Sequence, residues 1–379
     1  MTSLFKNKAS LISPPFSSPL PARRRLLVSG LAQALMWGGG LASYSSASFG
    51  QAAPAKDKLQ ALTPQDFGAA GDGVRDDTAA FKALAAKPGS YIRVPPGRYV
   101  IRETIAILDR QVWQFEGAEL LHERSGAMFK AAAVNDWALL GVARFTGIGA
   151  VKTSPANVGL LIETCRRFRV SALQFSRFSG AGLVLSGAVP YLTPRGDRGQ
   201  FSDLGFTDCA RAIEIGAAAS SEYNIFTNTA VTACGEGIVV GAGNCQFVGG
   251  NVVDCRVGVV LLPGSNHGHG GFHGFNLNHA SEFNLFADAI DTGFTFNGCH
   301  FYGDGGLKGA IFLRNSKGIL IQGGQIDCAV INDGKAGKNF LLNNTAPGAN
   351  FKLVSNTQDQ AGIVCRSVLR FDGTDACSA

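Results

Sequence analysis

The chain has 379 residues, of which 46% are apolar and 16% charged, enough for one large domain with a sizeable core. Its formal charge of +6 comes almost wholly from residues 1–52, which hold Lys6, Lys8, Arg23, Arg24 and Arg25 and no acid; the remainder carries 29 basic and 28 acidic residues. That near-neutral remainder excludes nucleic-acid binding by bulk charge, and no apolar run reaches the ~18 residues that a membrane helix needs.

Residues 1–52 read as an export signal and linker. A basic start is followed by a weakly apolar stretch from Leu26 to about Trp37, then by small residues suited to cleavage between Ala47 and Ala55. Arg23-Arg24-Arg25-Leu26-Leu27 resembles a twin-arginine signal, whose pathway exports proteins already folded. An organellar transit peptide and a membrane anchor are the alternatives. The expectation is an exported protein, periplasmic or extracellular, with no membrane insertion once the signal is removed.

The run Asp66–Phe81 comes next. Gly68, Gly71 and Gly73 permit tight turns, Asp76 or Asp77 is placed to cap a helix, and the helix runs to about Lys87 before Pro88-Gly89 stops it. A strand over Tyr91–Val94, a turn at Pro95-Pro96-Gly97 and a strand over Arg98–Ile101 follow. This run resembles the opening of the pectate-lyase superfamily, in its rhamnogalacturonase-like and epimerase-like branch. The residues that carry the likeness are Asp66-Phe67-Gly68-Ala69, Gly71-Asp72-Gly73-Val74, Asp76-Asp77-Thr78 and Val94-Pro95-Pro96-Gly97-Arg98-Tyr99. The resemblance implies an all-β fold, a single-stranded right-handed parallel β-helix. Residues 66–88 would cap its N-terminal end, the solenoid would span 60–350, and 351–379 would form a C-terminal cap or tail. It implies carbohydrate as the ligand and locates no catalytic residue.

Beyond residue 100 the sequence is a train of short β-rich runs broken by Gly, Asn, Ser and Asp. Gly180–Ala188, Arg211–Ala219, Gly235–Gly243 and Arg256–Gly264 echo one another. Aligning Leu183, Ile213, Ile238 and Val259 gives sequence steps of 30, 25 and 21, the signature of stacked coils. Of nine cysteines, Cys209, Cys234 and Cys255 each precede one of these runs, which predicts a small ladder of buried thiols. No Cys-x-x-Cys occurs, so no zinc is expected. Cys365 and Cys377 are placed to close the tail with a disulfide. A second echo, Ser221–Phe226 against Ser281–Phe286, predicts that Asn224, Asn244 and Asn284 occupy equivalent turns.

Five of the six histidines lie between His267 and His300, together with Glu282, Asp288, Asp291, Tyr302 and Asp304. A coil step of 21 would bring His279 to His300 and His267 to Asp288, and a step of 22 would bring Glu282 to Asp304. An alignment of Asn266 with Asn284 implies a step of 18 instead. Glu282, Asp288, Asp291 and His300 are the catalytic candidates, with the carboxylates serving as acid and base. His267, His269, His279, Tyr302, Asp304 and Arg314 are the candidates for substrate binding. Arg166, Arg167, Arg169, Arg177, Arg195, Arg198 and Arg211 form a basic tract suited to acidic sugars or to a solvated face.

Family-28-type polygalacturonases, which the chain resembles in fold, pair an Asn-Thr-Asp with an Asp-Asp, a Gly-His-Gly and an Arg-Ile-Lys. Here Asn228-Thr229-Ala230 lacks the aspartate, Asp254 stands alone, Gly268-His269-Gly270 is present and no Arg-Ile-Lys follows, so a standard polygalacturonase is not expected. The leading expectation is glycan cleavage of an acidic polysaccharide by hydrolysis. A polysaccharide lyase or uronate epimerase and a non-catalytic glycan-binding or envelope solenoid are the alternatives. No cofactor is expected beyond Ca²⁺ in the lyase case, and homo-oligomerisation is left open.

Overall fold

A computed structural model describes residues 61–378 apart from 150–155, 188–198, 217–222, 266–268, 335–336 and 356–361. Residues 1–52, read above as an export signal, lie outside the described residues, as do His267, Arg195, Arg198 and Ser221-Glu222.

The chain winds as a parallel β-solenoid with three sheets, each coil hydrogen-bonded to the next. The first sheet runs from Tyr91–Val94 through the leading halves of the long strands to Ile363–Arg366. The second is built from the trailing halves and runs from Asp72–Asp76 to Gln325–Asp327. The third has 11 strands, from Ile105–Ile107 to Lys352–Ser355. Leu183, Ile213, Ile238 and Val259 are register partners in the third sheet, as the sequence echo predicts.

The bend between first and second sheets falls on a single left-handed residue in coil after coil. Asp203 (φ 56°), Asn228 (φ 52°), Gly249 (φ 63°) and Gly274 (φ 65°) are successive examples. Gly, Asn and Asp suit this position because they accept positive φ most readily. Asn228 is therefore a corner residue, and its amide donates to Asp203 Oδ1 of the preceding coil at 2.6 Å.

Inward-facing side chains fill the solenoid. Phe201, Phe226, Phe247 and Phe272 stack down the first sheet with ring centroids 4.3, 4.6 and 4.4 Å apart. Cys209, Cys234 and Cys255 form the expected ladder of buried thiols, each donating to the carbonyl two residues before it, Thr207 O, Thr232 O and Val253 O. The third sheet's outer surface is also apolar, with Val239, Val260, Phe286, Phe312 and Ile331 in register down one column.

The helix Thr78–Ala85 closes the N-terminal end, with Phe81 against Tyr99 and Trp113 at 5.3 and 6.2 Å. It ends at Ala85, short of the expected stop at Lys87, and of the two expected caps it is Asp76 that serves. Asp76 Oδ1 accepts from Thr78 N, whereas Asp77 reaches back to accept from Ala70 N and Gly71 N. Asp77 thus ties the glycine turns to the helix. Upstream, Thr63 and Asp66 form a reciprocal capping box on the short 3-10 turn Pro64–Phe67. The Cys365–Cys377 disulfide is present near the C-terminal end.

Candidate functional site

Coil length decides which residues meet. Asn276 pairs with His300 and Asn278 with Tyr302, so the step here is 24, in place of the expected 21, 22 or 18. On the third sheet Leu285 pairs with Ile311 and Asp288 with Arg314, a step of 26 after an irregularity at Phe283. The pairing of His279 with His300 and of Glu282 with Asp304 therefore does not form. The Ser221/Ser281 echo also separates in space: Ile225–Phe226 belong to the first sheet and Phe283–Phe286 to the third. Asn284 is thus not equivalent to Asn224 or Asn244.

What the step of 24 brings together lies on the second sheet and its corner. His300 and Tyr302 alternate with buried Phe301 and so project outward. Asn276 and Asn278 flank them on the preceding coil, Gln325 and Asp327 on the next. His279 occupies the corner in a left-handed conformation (φ 55°), its N–H bonded to Tyr302 O at 3.1 Å. Its Nδ1 lies 2.7 Å from Asp304 Oδ1, and its ring meets Tyr302 edge to face at 5.1 Å. A carboxylate only accepts, so Asp304 places the ring proton on Nδ1 and leaves the Nε2 lone pair free. Asp254 stands at the same corner one coil earlier, its N–H bonded to Asn278 O at 3.3 Å.

Buried Asn284 holds this corner in shape. Its amide donates to Tyr302 O at 2.8 Å and Gly309 O at 2.7 Å, and its oxygen accepts from Ala280 N at 3.3 Å. One side chain therefore anchors both ends of the 303–309 turn and the residue after His279. On the far side, Asp327 Oδ1 accepts from Asn350 N at 3.3 Å. The side chains themselves are open to solvent, at 43% for His279 and 48% for Asp304, which suits a polymer lying across the surface.

The other candidates sit elsewhere. Glu282 ends a ladder of alternating charge on the third sheet, Glu214–Arg211–Glu236–Arg256–Glu282, with contacts of 3.0, 2.7, 3.1 and 2.8 Å. Asp288 is held by both arms of Arg314 at 2.9 and 2.6 Å, and that guanidinium lies 5.2 Å from the Phe286 ring centre. The Asp288 hydrogen bond raises the Arg314 pKa. Asp291 is exposed in the turn before Phe294–Asn297. The His269 carbonyl accepts from Gln246, and His273 faces outward on the first sheet, 2.8 Å from Gln246 Oε1. Among the described residues no three His, Cys, Asp or Glu side chains converge on a metal position.

Sequence reasoning passed over Asn276, Asn278, Asp254 and Asn284 as site residues. The available signal was parity: Asn276-x-Asn278 and His300-x-Tyr302 alternate with Leu277 and Phe301.

No protein-family profile matches the chain, and no curated protein matches its sequence. Solved structures do. The A-module of an Azotobacter vinelandii mannuronan C-5 epimerase, AlgE6, superposes with a TM-score of 0.56 at 14% identity, over 82% of this chain and 99% of that one. The enzymatically active domain of bacteriophage CBA120 tailspike protein 2 gives 0.57 at 13% identity, over 83% and 52%. The catalytic unit of a GH87 α-1,3-glucanase from Streptomyces thermodiastaticus gives 0.54 at 16% identity, over 84% and 71%. This is the pectin-lyase-like right-handed β-helix. The pectin-lyase-like fold is the expected one, and at these identities it is the fold alone that is shared.

Proposed function

We propose that the chain is an exported, polysaccharide-active protein whose second-sheet corner removes a proton from a uronate residue of an acidic glycan. The observation that carries this reading is the His279–Asp304 pair with Tyr302 against the same ring. Proton abstraction next to a carboxylate needs a positioned base, an acid on the departing or returning side, and groups that stabilise the enolate. His279 Nε2 takes the C5 proton. Tyr302 Oη gives a proton either to the glycosidic oxygen as its bond to C4 breaks, forming the C4–C5 double bond, or to the opposite face of C5, inverting it. Asn276, Asn278, His300 and Lys308 are the neighbouring donors for the uronate carboxylate.

The fold's neighbours support a polysaccharide substrate, since they include an epimerase acting on mannuronan and a glucanase. Export rests on the amino-terminal sequence pattern. Hydrolysis is the second reading, and one observation favours it: Asp254 and Asp304 stand two coils apart across His279, about 10 Å along the axis, near the ~6.5–9.5 Å carboxyl separation of inverting glycosidases. Glu282 and Asp288 serve it less well, being ion-paired to arginines on the third sheet.

The test is solvent isotope exchange. Incubation with polymannuronate, polyguluronate or polygalacturonate in D₂O should place deuterium at C5 or raise ultraviolet absorbance from the unsaturated uronate product, and His279→Ala should abolish the signal. New reducing ends without deuterium or absorbance would replace this reading with hydrolysis.

A further inference from the structure

A second surface lies on the first sheet, well away from the His279 corner. Two contiguous shallow hollows of about 480 Å³ each share Leu140, Arg169 and Gln200. They cover the outward side of the coils from Ala138 to Thr227. Arg169 and Gln200 are register partners, and the guanidinium donates to the Gln200 amide oxygen at 2.9 and 3.3 Å. That amide is neutral, so among the described residues Arg169 meets no carboxylate. The contrast is Arg167, on the same strand's approach, which is held by both oxygens of Asp136 at 2.6 and 2.8 Å. Arg167 is charge-compensated and Arg169 is not.

The floor beside Arg169 alternates hydroxyl and apolar groups. Ser171, Ser202 and Thr227 are register partners down one column. Leu140 lines both hollows, and Ile225, 46% exposed, lies next to Gln200 on the following coil. A sugar ring presents an apolar C–H face and a rim of hydroxyls, and an acidic sugar adds one anion. An uncompensated guanidinium pre-oriented by an amide, a hydroxyl ladder, exposed Ile225 and half-buried Leu140 match those three features.

We propose that this hollow is an auxiliary binding site for an anionic glycan, with Arg169 taking the sugar's carboxylate or sulfate and Leu140 and Ile225 its C–H face. It lies five coils N-terminal of Thr295 on the same sheet, about 24 Å along the axis at ~4.8 Å per coil. That spacing places it beyond the reach of a sugar held at His279, so it retains polymer independently of turnover. The inference shares the acidic-glycan premise of the proposed function and does not depend on any catalysis.

The experiment is calorimetric titration of the full chain with hexagalacturonate, with a sulfated, uronate-free hexasaccharide of carrageenan and with neutral cellohexaose, at low and moderate salt. Arg169→Ala and Arg169→Gln should each weaken anionic binding at least tenfold, and His279→Ala should leave this component in place. Preference for the uronate over the sulfated glycan assigns the carboxylate, and the reverse assigns the sulfate. Ile225→Asp should weaken binding as well, by repelling the anion and removing the apolar contact. Thermal unfolding of each variant separates loss of binding from loss of fold. Anionic binding that is unchanged in both Arg169 variants, or cellohexaose bound as well as the acidic sugars, would overturn the proposal. Absence of turnover on every substrate would remove the catalytic reading and leave this one intact if Arg169-dependent binding persists.

Discussion

Asp304→Asn keeps the shape of its side chain while removing the charge that fixes the His279 proton on Nδ1. An amide can present its N–H₂ to that nitrogen, turning the ring and placing the proton on Nε2, where a base is needed. The expected loss is between about 10-fold and about 10⁴-fold in kcat, the range over which removing a carboxylate that orients a histidine acts, with KM little changed. Asn284→Ala acts differently, since it removes the side-chain donor to Gly309 O, the acceptor of Ala280 N and one of the two donors to Tyr302 O, which keeps the His279 N–H. At about 1–3 kcal/mol for each buried group left unsatisfied, it should lower the melting temperature and activity together, and a melting curve beside the rate distinguishes the two variants. His122 supplies a pH test. It is buried, with its ring nitrogens 3.0 and 3.2 Å from Ile101 O and Gly126 O, and burial lowers its pKa below the ordinary 6.5. Below pH 6.5 the unfolded chain takes up a proton that the folded chain does not, so this contribution is complete above that value and declines as pH falls through it. Melting temperature should drop as the solution is taken from about pH 7.5 to about pH 5.5, and His122→Gln should flatten that drop.

At the scale of the element, the phenylalanine stack and the thiol ladder do the work of a core. Phe247 touches Phe226 and Phe272 at 4.6 and 4.4 Å and is fully buried. Phe247→Ala should cost about 3–5 kcal/mol, because the neighbouring coils cannot close over the space; denaturant titration measures it. All seven cysteines outside the disulfide are buried. Burial pushes the Cys299 thiol up to about 11, and the hydrogen bond with Cys209 helps push Cys234 up to about 12. Thiols held protonated and out of reach react slowly. A thiol reagent should therefore label almost nothing in the folded protein and all seven groups after unfolding without reductant. Rapid labelling under native conditions would contradict the ladder.

For the molecule as a whole, the fold was legible where its signals are local. The opening run from Asp66 to Ile101 announces turns, helix and strands through glycines, prolines and caps that act over short stretches of chain. The coils from Leu183 to Val259 announce themselves through apolar echoes that survive unequal steps of 30, 25 and 21. The site was harder, because its geometry depends on how much chain each corner loop adds. The lengthened turns around 289–293 and 303–309 set a step of 24 on one sheet and 26 on another. Parity along a strand shows that His300 and Tyr302 share a face, but not which sheet Glu282 or Asp288 will join. The Ser-Glu-aromatic-Asn echo misleads for the same reason: similar residues serve as a corner before the first sheet and as a strand of the third. The opposed roles of carboxylates follow. Glu282 and Asp288 on the third sheet neutralise arginines, while Asp304 holds the His279 ring.

The measurement that bears most directly on the central claim is deuterium at C5 of a polyuronate after incubation with the purified protein in D₂O. The account predicts either C5 deuterium in intact polymer or, where the polymer is cleaved, the absorbance of an unsaturated product whose C5 carries no hydrogen, and loss of the signal in His279→Ala and Tyr302→Phe. Substrate cleaved without that absorbance, or a signal that survives His279→Ala, would contradict it.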